Sequence, residues 1–156
     1  MQASFARLLE RLQPKFEELM RMRPGRFGSL PRLMPQQGVY LFSENERHLF
    51  VGRSNTIRSR YGRHCNPRST HRMATFAFHL ACEATGKTGT AGEAGENSKK
   101  GLMLNRDFRA AFDSAKARIR QMEFRSVGES DQNVQALLAI YCTLALNAKY
   151  NDFNTQ

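Results

Sequence analysis

The chain opens with apolar residues at helical spacing, Phe5, Leu8, Leu9, Leu12, Phe16, Leu19 and Met20, with charged side chains between them. This pattern predicts one amphipathic helix bent at Pro14, or two short helices. From Met22 to Gln37 the pattern is lost, and Pro24, Gly25, Gly28, Pro31 and Pro35 stand in an Arg-rich setting that breaks regular structure and predicts a linker or arm. Gly38 to Phe42 and His48 to Val51 are then short runs of aromatic and β-branched residues joined by the polar Ser43-Glu44-Asn45-Glu46. They predict a β-hairpin.

Thr56 to His64 reads as a helix, with Ser54 or Asn55 as its cap and Ile57 and Tyr61 one turn apart on one face. Its other faces are basic. An apolar helix is predicted from Met73 to Ala84, stopped near Gly86. Gly86 to Gly101 contains no apolar residue larger than Ala, which predicts a mobile surface loop. Leu102 to Arg120 reads as a helix and Met122 to Val127 as a strand. Asp131 to Leu146 is a last helix with Val134, Leu137, Leu138, Tyr141 and Leu144 on one face. No internal repeat is present.

A length of 156 residues suits one compact domain, and 40% hydrophobic with 24% charged residues is ordinary globular usage. No run approaches the roughly 20 apolar residues of a membrane span, and the N-terminus lacks an apolar signal core, so a cytoplasmic location is expected. Charge changes the picture more. The formal net charge is +10, eighteen of the 24 basic residues are Arg, and seven Arg with no Asp or Glu lie between Arg47 and Cys82. Such a chain attracts polyanions, and Arg suits bidentate phosphate contact, so nucleic acid is the first partner to consider. A basic face that only aids solubility is the plainer alternative. Cys65, Cys82 and Cys142 have no metal-binding spacing and read as free thiols.

The chemistry-bearing cluster is Tyr40 and Phe50 on the hairpin, Arg53 just after it, and Arg60 and His64 at i and i+4 on the next helix. Fixed Arg donors stabilise the negative charge that gathers on a phosphodiester in its transition state. Neighbouring cations also favour a phenolate, drawing a tyrosine pKa down from about 10. Without such chemistry, Tyr40 is a core or rim residue and Arg53, Arg60 and His64 a solvated helix edge.

The stretch resembles the GIY-YIG nuclease superfamily. Gly38-Val39-Tyr40 stands where that family has GIY, and Phe50-Val51-Gly52 where it has YIG. Arg53-Ser54-Asn55-Thr56-Ile57-Arg58-Ser59-Arg60 is similar to the basic-x-x-N-L-x-x-R continuation, and His64 follows where members carry His or Tyr. Gln135-Ala136-Leu137-Leu138 and Tyr150-Asn151-Asp152-Phe153 resemble the helix and terminal Asn that close the site. The resemblance implies an α+β fold, a small three-stranded antiparallel sheet flanked by helices. It implies Tyr40 as general base toward water, Arg53 near it, Arg60 on the scissile phosphate, His64 on the phosphate or in proton transfer, and Asn151 securing the site. Phosphate contact is expected of Arg53, Arg58, Arg60, Arg63, Arg68 and Arg72.

Two positions depart from the family. Phe50 keeps the ring of the second tyrosine and loses its hydroxyl. The family's metal-binding Glu, twelve residues before the terminal Asn, falls on Ala139, so the ligand for one Mg²⁺ or Mn²⁺ ion is missing. That is either natural loss or replacement of Glu by Ala, the second favoured because the other site residues are intact. Glu83, Glu129 and Asp131 are the substitute ligands to consider, each read first as a solvated acid. The resulting expectation is an N-terminal segment and arm over 1–37, then a nuclease-like domain over 38–156 with a flexible loop at 86–101. The function expected is metal-dependent DNA endonuclease, in an inactive or weakened form, with a non-catalytic nucleic-acid-binding protein on the same fold as the alternative.

Overall fold

The structure is a computed structural model that describes residues 1–89 and 95–151. It is α+β, and it divides into two compact units, residues 1–60 with 122–156 and residues 61–121. The division falls inside a helix and ahead of the last strand.

In the first unit, α1 (Ala3–Glu10) and α2 (Leu12–Arg21) are separate helices that break at Arg11. Pro14 is the third residue of α2 and not the bend, because a first-turn N–H has no intrahelical acceptor to lose. The hairpin is β1 (Gly38–Glu44) and β2 (Arg47–Ser54), and β3 is Glu123–Gly128. All pairs are antiparallel in the order β2-β1-β3, as the resemblance implies. Only Asn45 and Glu46 turn the hairpin, both at positive φ (52° and 65°), the twist that a two-residue connection demands. The arm after α2 is anchored, since Gly25 and Phe124 exchange backbone hydrogen bonds of 2.9 and 2.8 Å.

The central strand has two apolar faces. Val39 and Leu41 join Val51 and Val127 in a buried cluster with Leu12 and Leu19 of α2 and with Val134, Leu138 and Cys142 of α7 (Gln132–Leu146). Each such side chain contributes about 1.5 to 3 kcal/mol by leaving water. Tyr40 and Phe42 point the other way and meet Phe124, with ring centroids 5.6 and 5.1 Å from it. Asp131 caps α7, its Oδ1 accepting from the Asn133 and Val134 amides at 2.9 and 3.1 Å. A helix α3 (Ile57–Cys65) begins after β2 and runs into the second unit. Ser54 does not cap it, because its hydroxyl accepts from the Thr56 amide (2.9 Å) just ahead of the helix.

The second unit packs α4 (Thr75–Thr85) and α6 (Arg106–Arg120) around Phe76, Phe78, Leu80, Phe108, Phe112 and Ile119. Gly86 ends α4 in the left-handed region (φ 69°). The single helix expected from Leu102 to Arg120 is two, α5 (Lys99–Leu104) and α6, because the Asn105 side chain accepts from the Phe108 amide (3.0 Å) and starts a new helix. The expected loop is correspondingly shorter at its far end, where Ser98 caps α5 through the Gly101 amide at 2.9 Å. Residues 90–94 of that loop lie outside the described residues. No helix among the described residues is long and apolar enough to cross a membrane.

Candidate functional site

The site is built on the β1–β2 pair. Tyr40 lies directly opposite Gly52, and its ring occupies the space where a Cβ on residue 52 would stand, since that atom would collide with Cζ, Oη and Cε2. Gly52 is therefore a requirement of the Tyr40 ring. Phe50 is half-buried opposite Phe42. Tyr40 itself is only 3% exposed.

Burial decides the acidity of Tyr40. Desolvation raises its pKa well above the ordinary phenol value, and the nearby Arg60 guanidinium offsets only part of that rise. The expectation of a lowered pKa is thus corrected: the cation is present, but removal from water outweighs it. Arg60 is half-buried on α3, while Arg53 is exposed at the end of β2. Arg53 Nη1 donates to Gln135 Oε1 at 3.3 Å.

Gln135 is a residue whose role the sequence pattern did not indicate. It is buried, and its Nε2 donates to the Glu129 carbonyl (3.0 Å) and to Asn55 Oδ1 (3.3 Å), while Gln132 Nε2 reaches the same Asn55 oxygen at 2.8 Å. These amides tie the start of α7 to the end of β2 and aim Arg53. Ala139 lies one turn further along α7, half-buried against the apolar cluster. Residues at i and i+4 share a helix face, so position 139 is next to the side chain that holds Arg53.

Asn151 closes the outer edge of β2. Its Oδ1 accepts from the Val51 amide (2.7 Å) and its Nδ2 donates to the Val51 carbonyl (2.8 Å). Tyr150 adds a backbone bond to the Leu49 carbonyl at 2.9 Å. The strand segment carrying Phe50, Val51 and Gly52 is thereby held on both sides. Asp152 and Phe153 lie outside the described residues.

Arg58 is engaged within the protein, where Nη2 donates to the carbonyls of Pro31 (2.6 Å) and Arg32 (3.2 Å) and secures the arm. His64 is buried at 1% exposure and, with the exposed Arg63, Arg68 and Arg72, belongs to the second unit.

The acids do not fit a divalent ion. Glu129 is not solvated: its carboxylate is buried, takes Arg11 Nη2 at 3.0 and 3.1 Å and accepts from the Asp131 amide at 2.9 Å. Asp131 is spent on the cap of α7, and Glu83 is exposed in the second unit. Among the described residues no three His, Cys, Asp or Glu gather as a metal site. The chain can place cations against a phosphodiester, and among the described residues no cluster of carboxylates, His or Cys that could hold a metal accompanies them.

No family model, curated protein or solved structure matches the chain.

Proposed function

We propose that this chain is a DNA-directed protein of GIY-YIG nuclease type, an endonuclease scaffold whose hydrolytic step is disabled or weakened at Ala139. The observation that carries the reading is the seating of Tyr40 against Gly52 with the Arg60 charge acting on the phenol, while Arg53, the next residue and opposite Val39, stands on the α7 face of the sheet. Tyr40 and Gly52, each the third residue of its motif, thus have a mutual steric reason. The Asn151 clamp on Val51 supports the same reading from the far end of the chain.

In this reading Arg53 and Arg60 hold the phosphodiester and stabilise charge on its oxygens. Tyr40 keeps its proton at neutral pH, because burial raises its pKa, so activation of water depends on a further charge. Position 139 is where an oxygen ligand for Mg²⁺ or Mn²⁺ would return. A second reading, a nucleic-acid-binding protein with no hydrolytic role, is favoured by the burial of Tyr40. The two part at residue 139: a carboxylate restored there gives cleavage only under the first.

DNA binding is tested with a fluorescent duplex and a single strand across a salt series. Affinity is expected to fall steeply with salt, and Arg53→Ala with Arg60→Ala together should reduce the log–log slope by about 1.8, two phosphates at about 0.9 each on duplex DNA. A flat salt response, or an unchanged slope in the double variant, contradicts the reading.

A further inference from the structure

Lys116 is a cation where the pattern of α6 calls for an apolar side chain. It stands one turn from Phe112 on the stripe Phe108, Phe112, Ala115, Ile119, and it is buried at 1% exposure. Burial lowers its pKa, an effect that Asp113, 3.5 Å away, partly offsets. A buried ammonium is costly unless its hydrogens are taken. Here Nζ donates to the carbonyls of Pro67 (2.7 Å) and Ser69 (3.0 Å), and it lies 4.4 Å from the Phe112 ring centre. Arg120, one turn further on, donates to the Cys65 carbonyl at 2.9 Å. Two side chains of α6 thus hold the carbonyl that ends α3 and two carbonyls of the segment after it.

The opposite side of that segment is basic. With its carbonyls turned inward, it exposes Arg68 and, just beyond, Arg72, while Arg63 is exposed on the last turn of α3. Among the described residues none of the three pairs with a carboxylate. Burial depresses the pKa of His71, and the Arg72 and Lys99 charges depress it further. Like charges gathered without counter-ions mark a surface for a polyanion.

We infer that the turn of residues 66–72 is a preset contact for the phosphodiester backbone of nucleic acid, with Lys116 as its positioning residue through the Pro67 and Ser69 carbonyls. The inference rests on the reading of the chain as DNA-directed. A turn held by the protein reaches phosphate without first losing conformational entropy, whereas a loose one must be ordered on binding.

The test pairs Lys116→Met, which fills the space without the donors, with the surface variant Arg68→Ser/Arg72→Ser. In Lys116→Met, amide exchange at Ser69 should speed at least tenfold while α6 stays protected. Duplex affinity should weaken by about tenfold at every salt concentration with the slope retained, since each residue left to be ordered on binding carries a cost. The Arg pair should instead reduce the slope by about 1.8. Unchanged Ser69 exchange or unchanged affinity in Lys116→Met overturns the positioning role, and an unchanged slope in the Arg pair overturns the phosphate contact. If the parent chain binds no duplex at any salt, the DNA-directed reading fails, and this inference with it. Should Lys116→Met not fold, exchange is read on Lys116→Arg, which keeps the charge but cannot place one nitrogen between both carbonyls.

Discussion

At the scale of residues, the constraint that bears on the site is the Tyr40–Gly52 pair. A methyl at position 52 has no room beside the ring, so Gly52→Ala must displace either Tyr40 or the strand. Overpacking of this kind costs about 1 to 3 kcal/mol. We expect that loss in urea unfolding of Gly52→Ala, and we expect most of it to vanish when Tyr40 is first changed to Ala, because the two residues are coupled through one volume. Equal losses in both backgrounds would mean that Gly52 answers to something other than the ring. Tyr40, Gly52 and Arg60 were legible in the sequence because their spacing forms a pattern. Gln135 and Lys116 were not, since a lone Gln or Lys on a helix reads as solvent-facing, and only tertiary packing turned each of them inward. The Tyr40 pKa was read with the wrong sign because nearby cations are visible in a sequence and desolvation is not. The thiols follow the same rule, with burial pushing Cys65 up to about 11 and Cys142 up to about 12.

At the scale of elements, the strands and the long helices followed from hydrophobic period, and most ends fell within a residue or two of the expected places. The misses share a cause, which is local capping chemistry. Asn105 splits one expected helix into two, Ser98 starts α5 inside an expected loop, and Pro14 is absorbed into a first turn instead of bending a helix. The C-terminal Asn is the opposite case, a single residue whose side chain closes a strand edge through two bonds to Val51. Asn151→Ala removes both bonds to Val51 and leaves an edge strand unclamped. With each hydrogen bond contributing about 1 kcal/mol, we expect a loss of roughly 2 kcal/mol in denaturant unfolding. Amide exchange at Val51 should rise at the same time. A variant as stable as the parent would show that the backbone bond from Tyr150 holds the strand alone.

At the scale of the whole molecule, net charge and composition indicated a polyanion partner without indicating which residues meet it. The structure sorts the arginines by task. Arg11 and Arg58 are engaged in holding the protein together, Arg53 and Arg60 stand at the hairpin, and Arg63, Arg68 and Arg72 remain exposed in the second unit. Ala139, the position that decides between cutting and binding in the proposed reading, carries no signal of its own, because alanine is the most ordinary residue a helix can hold. The most direct test of the central claim is therefore single-turnover cleavage of plasmid DNA by Ala139→Glu with Mg²⁺ or Mn²⁺, beside the parent chain and Ala139→Glu/Arg60→Ala. Metal-dependent nicking is expected in Ala139→Glu at about 10² times the parent rate or more, lowered by about 10²-fold when Arg60 is also removed. If Ala139→Glu folds, binds duplex DNA as the parent does and still cuts nothing with either ion, the nuclease assignment is contradicted.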